Sequence, residues 1–247
     1  MKKTFLIVLL LLSCVFIFAQ LNPWLWAKKA GGTSGDSGNS IAVDAIGNSY
    51  VTGGFKGTAT FGSTNLTSKG SSDIFVTKLD SDGIWQWATK AGGTGGDCGY
   101  GIAVDESGNS YVIGYFSGTA TFDSKITLTS SGGTDIFVAK LDSDGEWLWA
   151  TKAEGIDYDE GNGIAVDASG NSYITGNFNS DATFGLTNLE SSGDNDIFVA
   201  KLDSDGIWQW AHKAGGTGSD RGYGIAVDAS GNSYVTGYFD TSATFGL

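Results

Sequence analysis

Beyond its first twenty residues, the chain is written in short, mostly apolar runs separated by turn-forming residues, with no useful length of helical periodicity. The stretch "GIAVDASGNSYVTGYF" at 224–239 shows the layout: an apolar run, a polar turn, a second apolar run. Close copies stand at 40–55, 101–116 and 163–178, an interval of about 61 residues. One full unit, from Ile102 to about Gly163, holds four strand candidates. These are "IAVD" (a), "SYVIGYF" (b), "DIFVAKLD" (c) and "EWLWATKA" (d). A polar connection, "SGTATFDSKITLTSSGGT", joins b to c, and a Gly-rich passage leads from d to the next a. In the turn "DASGN", Asp228 is placed to accept backbone N–H groups, and Gly231 supplies the positive φ a hairpin bulge needs. "LDSDG" repeats the device at Gly83, Gly145 and Gly206.

Both turns join neighbouring strands, so each unit is an antiparallel meander. A single four-stranded sheet cannot bury both of its faces. Radial stacking of copies does so, which predicts an all-β propeller of four-stranded blades. The expected parts are a lone strand d at 24–30, blades at about 41–91, 102–153 and 164–214, and a partial blade at 225–247. The last unit stops at "SATFGL", before a strand c, so the expected object is an open arc of a larger ring with further blades elsewhere in the protein.

The motifs "IAVDxxGNSYVTGxF", "TATFG", "DIFVAKLDSDG" and "WQWA" resemble the bacterial SBBP β-propeller repeat, and more distantly the NHL-type repeat. The resemblance covers essentially everything after the first segment, in order and in register. It implies a propeller in a secreted or surface protein and says little about chemistry, since propellers host unrelated functions.

The first segment, "MKKTFLIVLLLLSCVFIFAQ", has two lysines, a short greasy run and a small residue at Ala19. That is the layout of a secretory signal peptide (1–19), cleaved between Ala19 and Gln20, and the run is short for a membrane span. Acylation at Cys14 is the lesser alternative, because the apolar run continues past it through "VFIF". No later segment has the length and apolarity of a membrane helix, and the 20–247 remainder is read as one propeller domain.

With 27 acidic against 14 basic residues and a net charge of −13, the chain repels nucleic acid and anionic lipid, and it leaves room for cations. Only Cys98 survives cleavage, so no intrachain disulfide is expected. Its counterparts in the other copies are Ser37, Glu160 and Arg221, poor ground for a nucleophile.

Candidate chemistry is thin. The eight tryptophans form four W-x-W pairs whose rings share one face; blade packing explains them better than sugar stacking, since every copy has the pair. "GTGGDCG" and "GTGSDRG" lead into a strand rather than a helix, so they bind no nucleotide by a phosphate loop. "DSDG" lacks the later oxygen ligands of a calcium loop. The single histidine, His212, builds neither a zinc site nor a triad, and no catalytic residue or cofactor is expected. One aspartate does recur before each strand a: Asp36, Asp97, Asp159 and Asp220. Each is placed to pin its own Gly-rich loop; the sharper reading makes the four a ring that draws a cation such as calcium, or a cationic ligand group, to the channel mouth. The expected function is a secreted or cell-surface, non-enzymatic binding or adhesion scaffold for an unknown protein or carbohydrate ligand. The alternative is an extracellular carbohydrate-active hydrolase or lyase, with its site on the long-loop face or outside this sequence.

Overall fold

The computed structural model describes residues 25–245, which are strands and turns without a helix. Three blades repeat one plan. In the first, β1 (Asp36–Val43), β2 (Ser49–Phe55), β5 (Asp73–Leu79) and β6 (Trp85–Gly93) pair antiparallel in that order, with the hairpin β3 (Thr58–Phe61) and β4 (Thr64–Thr67) between β2 and β5. The second has β7 (Cys98–Val104), β8 (Ser110–Phe116), the hairpin β9 (Thr119–Thr121) and β10 (Thr127–Thr129), β11 (Asp135–Leu141) and β12 (Trp147–Gly155). In the third, β13 (Glu160–Val166) and β16 (Trp208–Gly215) flank β14 (Ser172–Phe184) and β15 (Thr187–Leu202), which run on into the hairpin. A fourth unit contributes β17 (Arg221–Val227), β18 (Ser233–Tyr238) and β19 (Thr244–Phe245). The architecture is all-β, an open, propeller-like arc with each unit's strand a on the inside.

The a–b turn explains its own sequence. Asp44 Oδ1 accepts the N–H groups of Ile46 (3.1 Å) and Asn48 (2.9 Å), while Oδ2 accepts Asn48 Nδ2 (2.7 Å) and Tyr50 Oη (3.2 Å). Asp105, Asp167 and Asp228 do the same in their copies. The c–d turn is closed by Asp80 Oδ1, which accepts the N–H groups of Asp82 (3.0 Å) and Ile84 (2.8 Å).

The apolar core lies between blades. Ile74, Val76 and Ala91 of the first blade pack with Ile102, Val112, Phe137, Ala139, Leu141 and Trp147 of the second, and the next junction is built alike. The paired tryptophans divide the labour. Trp85, Trp147 and Trp208 stand edge-on to Phe61, Phe122 and Phe184 of their own hairpins. The second ring of three of the pairs reaches across: the indole N–H groups of Trp26, Trp87 and Trp149 donate to the carbonyls of Ser81, Ser143 and Ser204 in the following blade. Gly145, at φ +86°, lies beneath Trp87, where an added Cβ would stand 2.7 Å from the ring.

Three expectations need correction. The b–c connection is not a loop but a hairpin, and it welds neighbouring blades. Gly92 and Gly93 at the end of β6 pair with Thr121 and Ala120 of β9; Glu154 and Gly155 pair with Thr183 and Ala182; Ala214 and Gly215 pair with Phe245 and Thr244. Strand a also starts earlier than "IAVD", at Asp36, Cys98, Glu160 and Arg221, so the blades run over 36–93, 98–155 and 160–215. Finally, of the strand expected at 24–30, Trp24 lies outside the described residues and 25–30 form no ladder, with only a single bridge from Gly31 to Thr60. In complete blades strand d draws its ladder from strand c, and among the described residues no strand c stands beside 25–30.

The weld demands glycine. A Cβ on Gly93 would sit 1.8 Å from the Thr119 carbonyl oxygen, and one on Gly216 would sit 1.9 Å from that of Ser242. Gly93→Ala should therefore cost about 3 kcal/mol, the overpacking range, with a fall in melting temperature. Gly96→Ala, whose Cβ would meet only Ser72 Oγ at 3.8 Å, is the control. Equal melting temperatures for the two variants would refute the weld's role.

Candidate ligand-binding surface on the inner strands

The recurring aspartates sit inside the junctions. Asp97 Oδ2 accepts Gly93 N–H (2.8 Å) and Oδ1 accepts Ser117 N–H (3.1 Å), tying the end of strand d to the start of the next hairpin. Asp220 bonds Gly216 (2.7 Å) and Asp240 (2.8 Å) the same way, and Asp159 bonds Asn179 (3.0 Å). Asp97, Asp159 and Asp220 have no exposed surface. Asp36 is exposed, bonding Gly32 (2.7 Å) and Lys56 (3.3 Å). The four are thus distributed one to a copy: Asp36, Asp97 and Asp220 each bond a glycine of their own loop, while Asp159 bonds only the next hairpin. Among the described residues no three His, Cys, Asp or Glu side chains gather as metal ligands.

Sequence reasoning missed their companions. Asp73, Asp135 and Asp196, the first residues of strand c, are also fully buried. They accept the N–H groups of Lys69, Ser131 and Ser192 and pair with Lys90 (3.2 Å), Lys152 (3.7 Å) and Lys213 (3.4 Å). An added Cβ on Gly92 would stand 2.9 Å from Asp73 Oδ1 and 2.8 Å from Asp97 Oδ2, so two buried carboxylates close on one point. Burial first, and the neighbouring carboxylate in smaller part, push Asp97 up to about 6 and Asp159 up to about 7.

A different feature distinguishes the copies from one another. Each inner strand carries a β-bulge at the same place: the register with strand b slips between Gly38 and Ser40, Gly99 and Gly101, Gly161 and Gly163, and Gly222 and Gly224. The extra residue is Asn39, Tyr100, Asn162 or Tyr223. Bulges re-aim a side chain and are common beside functional sites. Two positions earlier stands a cross-strand pair: Ser37 with Gly54, Cys98 with Tyr115, Glu160 with Asn177, Arg221 with Tyr238. These three positions change from copy to copy while the turns and packing residues hardly vary. That contrast was visible in the sequence; that the three positions are neighbours was not.

The variable residues are also linked across copies. Asn39 Nδ2 donates to Gly99 O (2.9 Å) and Cys98 Sγ (3.1 Å). Asn162 Nδ2 donates to Gly222 O (3.0 Å) and to Asn177 Oδ1 (3.2 Å). Arg221 Nη1 lies 3.3 Å from Glu160 Oε2. Tyr100 and Tyr115 meet edge-on with centroids 5.3 Å apart, and Tyr223 and Tyr238 are tilted at 5.7 Å. Burial, then the nearby Tyr115 and Glu160, raise the Tyr100 phenol further above its ordinary range. Burial pushes the Cys98 thiol up to about 11, so it is no thiolate at neutral pH. On the rim, the divergent stretch 154–163 exposes Ile156 and Tyr158 and holds Asp157 against Ser180 Oγ at 2.6 Å.

Four stretches of the chain, 25–53, 86–115, 148–181 and 209–238, match the family model SBBP, described as a beta-propeller repeat. An uncharacterized WD repeat-containing protein of Acanthamoeba polyphaga mimivirus is 26% identical over 88% of this chain and 19% of its own length. The regulatory protein FlaEY of Caulobacter vibrioides is 30% identical over 70% of this chain and 19% of its own. The chain therefore spans about a fifth of the length of these curated relatives. Among solved structures, a protein of unknown function from Bacteroides caccae aligns with a TM-score of 0.42 and 15% identity, over 82% of this chain and 53% of that one.

The junction carboxylates make stability depend on pH. Asp97 and Asp159 have raised folded pKa values, so the stability they contribute is whole below the unfolded value of about 4 and is lost as pH rises through about 6 to 7. Asp167 runs the other way: burial pushes it up, but bonds from Asn171, Ser169 and Tyr173 outweigh that, so its contribution is lost in acid. The melting temperature should peak near pH 4 and fall by pH 8, with Asp159→Asn flattening the fall. A melting temperature unchanged or higher at pH 8 in the parent chain would contradict this.

Proposed function

Because this chain belongs to the SBBP beta-propeller repeat family, we propose that it is a secreted or cell-surface, non-enzymatic binding scaffold whose ligand surface is the row of variable inner-strand triads. The carrying observation is the division of labour within the repeat. Turn aspartates, tryptophans and weld glycines recur in copy after copy, and the variable side chains converge on one bulge per blade. A rigid frame that holds a changeable set of side chains is how binding repeats work. The relatives' names, a repeat-containing and a regulatory protein, assign no reaction.

Catalysis finds little footing. Cys98 is buried with a raised pKa, and the single histidine lies exposed on the outer strand β16, its ring tilted beside Trp210 with centroids 5.4 Å apart. Export is read from the leader at 1–19, which lies outside the described residues. Among those described, no helix is long and apolar enough to cross a membrane.

The full chain with a C-terminal tag, made in a Gram-negative host, should leave the cytoplasm and begin at Gln20. Chromogenic glycosides and esters should not be turned over. Retention in the cytoplasm with the leader intact would overturn export, and turnover abolished by one substitution would overturn the non-enzymatic reading. Replacing Tyr100 and Tyr115 together by Asn, the third copy's choice, should move the melting temperature by less than about 5 °C. A collapse of the fold would instead make them packing residues.

A further inference from the structure

The inner-strand row has a chemistry of its own, and the inference drawn from it rests on the reading of that row as a ligand surface. Strands β7, β13 and β17 pack side by side, so the triads of the second, third and fourth units are neighbours. Their order is a tyrosine pair (Tyr100, Tyr115), a carboxamide pair (Asn162, Asn177) and a second tyrosine pair (Tyr223, Tyr238). Glu160 and Arg221 stand in the same row and neutralise each other at 3.3 Å, with side chains 30% and 37% exposed. The row therefore carries no net charge on a chain whose net charge is −13.

We propose that this row binds a neutral oligosaccharide, with sugar ring faces on the tyrosines and hydroxyls on Asn162 Oδ1, Glu160 and Arg221. Aromatic rings offer an apolar face and a polar rim, which suits the two sides of a pyranose. An amide, a carboxylate and a guanidinium between them donate and accept, as vicinal hydroxyls require. An anionic ligand would meet a repulsive surface everywhere else on the molecule. The contributing groups come from three successive units, so the ligand is an oligomer lying across the blades rather than a single sugar.

A peptide is the less suitable occupant. Strand addition needs a straight, free sheet edge. Each inner strand is instead bent by its bulge, and the Asn39 and Asn162 amides already cap the edge carbonyls Gly99 O and Gly222 O.

The test uses the full chain and three probes: a panel of neutral hexasaccharides (gluco-, xylo- and manno-linked), an oligogalacturonate of the same length, and a random dodecapeptide library. At least one neutral hexasaccharide should bind by calorimetry. Tyr100→Ala and Tyr223→Ala should each weaken that binding about tenfold, while Tyr100→Phe and the rim variant Tyr158→Ala leave it within about twofold. If an alanine variant fails to fold, Tyr100→Asn and Tyr223→Asn, the residue of the third copy at that place, supply the weakened arm and Tyr223→Phe the unchanged one, with circular dichroism to confirm folding. Silence across the neutral panel overturns the proposal. Peptide or oligogalacturonate binding that depends on the same triads overturns the sugar class and leaves the scaffold reading standing. Sugar binding indifferent to every triad variant overturns the site itself.

Discussion

Each blade is held to the next at one crowded spot, where the glycines ending strand d pass against the carbonyl of the following hairpin. The backbones come so close that a methyl group at Gly93 would lie inside the van der Waals radius of Thr119 O. A fully buried aspartate then accepts N–H groups from both segments, as Asp97 does with Gly93 and Ser117. Without that contact the apolar faces formed by Ile74, Val76, Phe137 and Leu141 would still attract one another, but without a defined angle or spacing. The directional bonds set the geometry and the apolar burial supplies most of the driving force.

Burying two carboxylates at a junction with one lysine is expensive, and the protein meets the cost with local donors. Asp73 has Lys90 and the Lys69 N–H; Asp97 has two backbone N–H groups. One oxygen of Asp73, Asp135 and Asp196 still lacks a hydrogen-bond donor. Burial of Asp97 and Asp159 themselves, with the neighbouring acid as a smaller contribution, is the physical source of their raised values. The same groups that give the weld its direction therefore make it sensitive to protons.

The frame leaves the inner strands free to differ. Once turn aspartates, tryptophan bridges and welds are in place, the bulge residue and its cross-strand neighbours carry little structural duty, and they diverge into Asn, Tyr, Glu and Arg. The bulge matters because it releases one residue per strand from the ladder and turns its side chain toward the next unit. Asn39 and Asn162 use that freedom to cap a neighbour's carbonyl, whereas Tyr100 and Tyr223 form ring pairs.

Local chemistry written in consecutive residues was legible in the chain alone. The Asp-x-x-Gly-Asn turns, the four strands per unit and the repeat length all follow from turn geometry and apolar runs, which act over a few residues. So was the partnership of Asp36, Asp97 and Asp220 with glycines of their own loops. Decisions made between distant segments were not legible. "TATF" reads as a polar connection until strand d of the preceding blade arrives to pair with it, and strand a reads as starting at Ile102 until Tyr115 shows Cys98 already in register. The convergence of Glu160 with Arg221, 61 positions apart, likewise exists only because neighbouring bulges face each other. Short-range bonding belongs to the sequence; the meeting of surfaces belongs to the stacked blades, because only their packing brings those groups within reach.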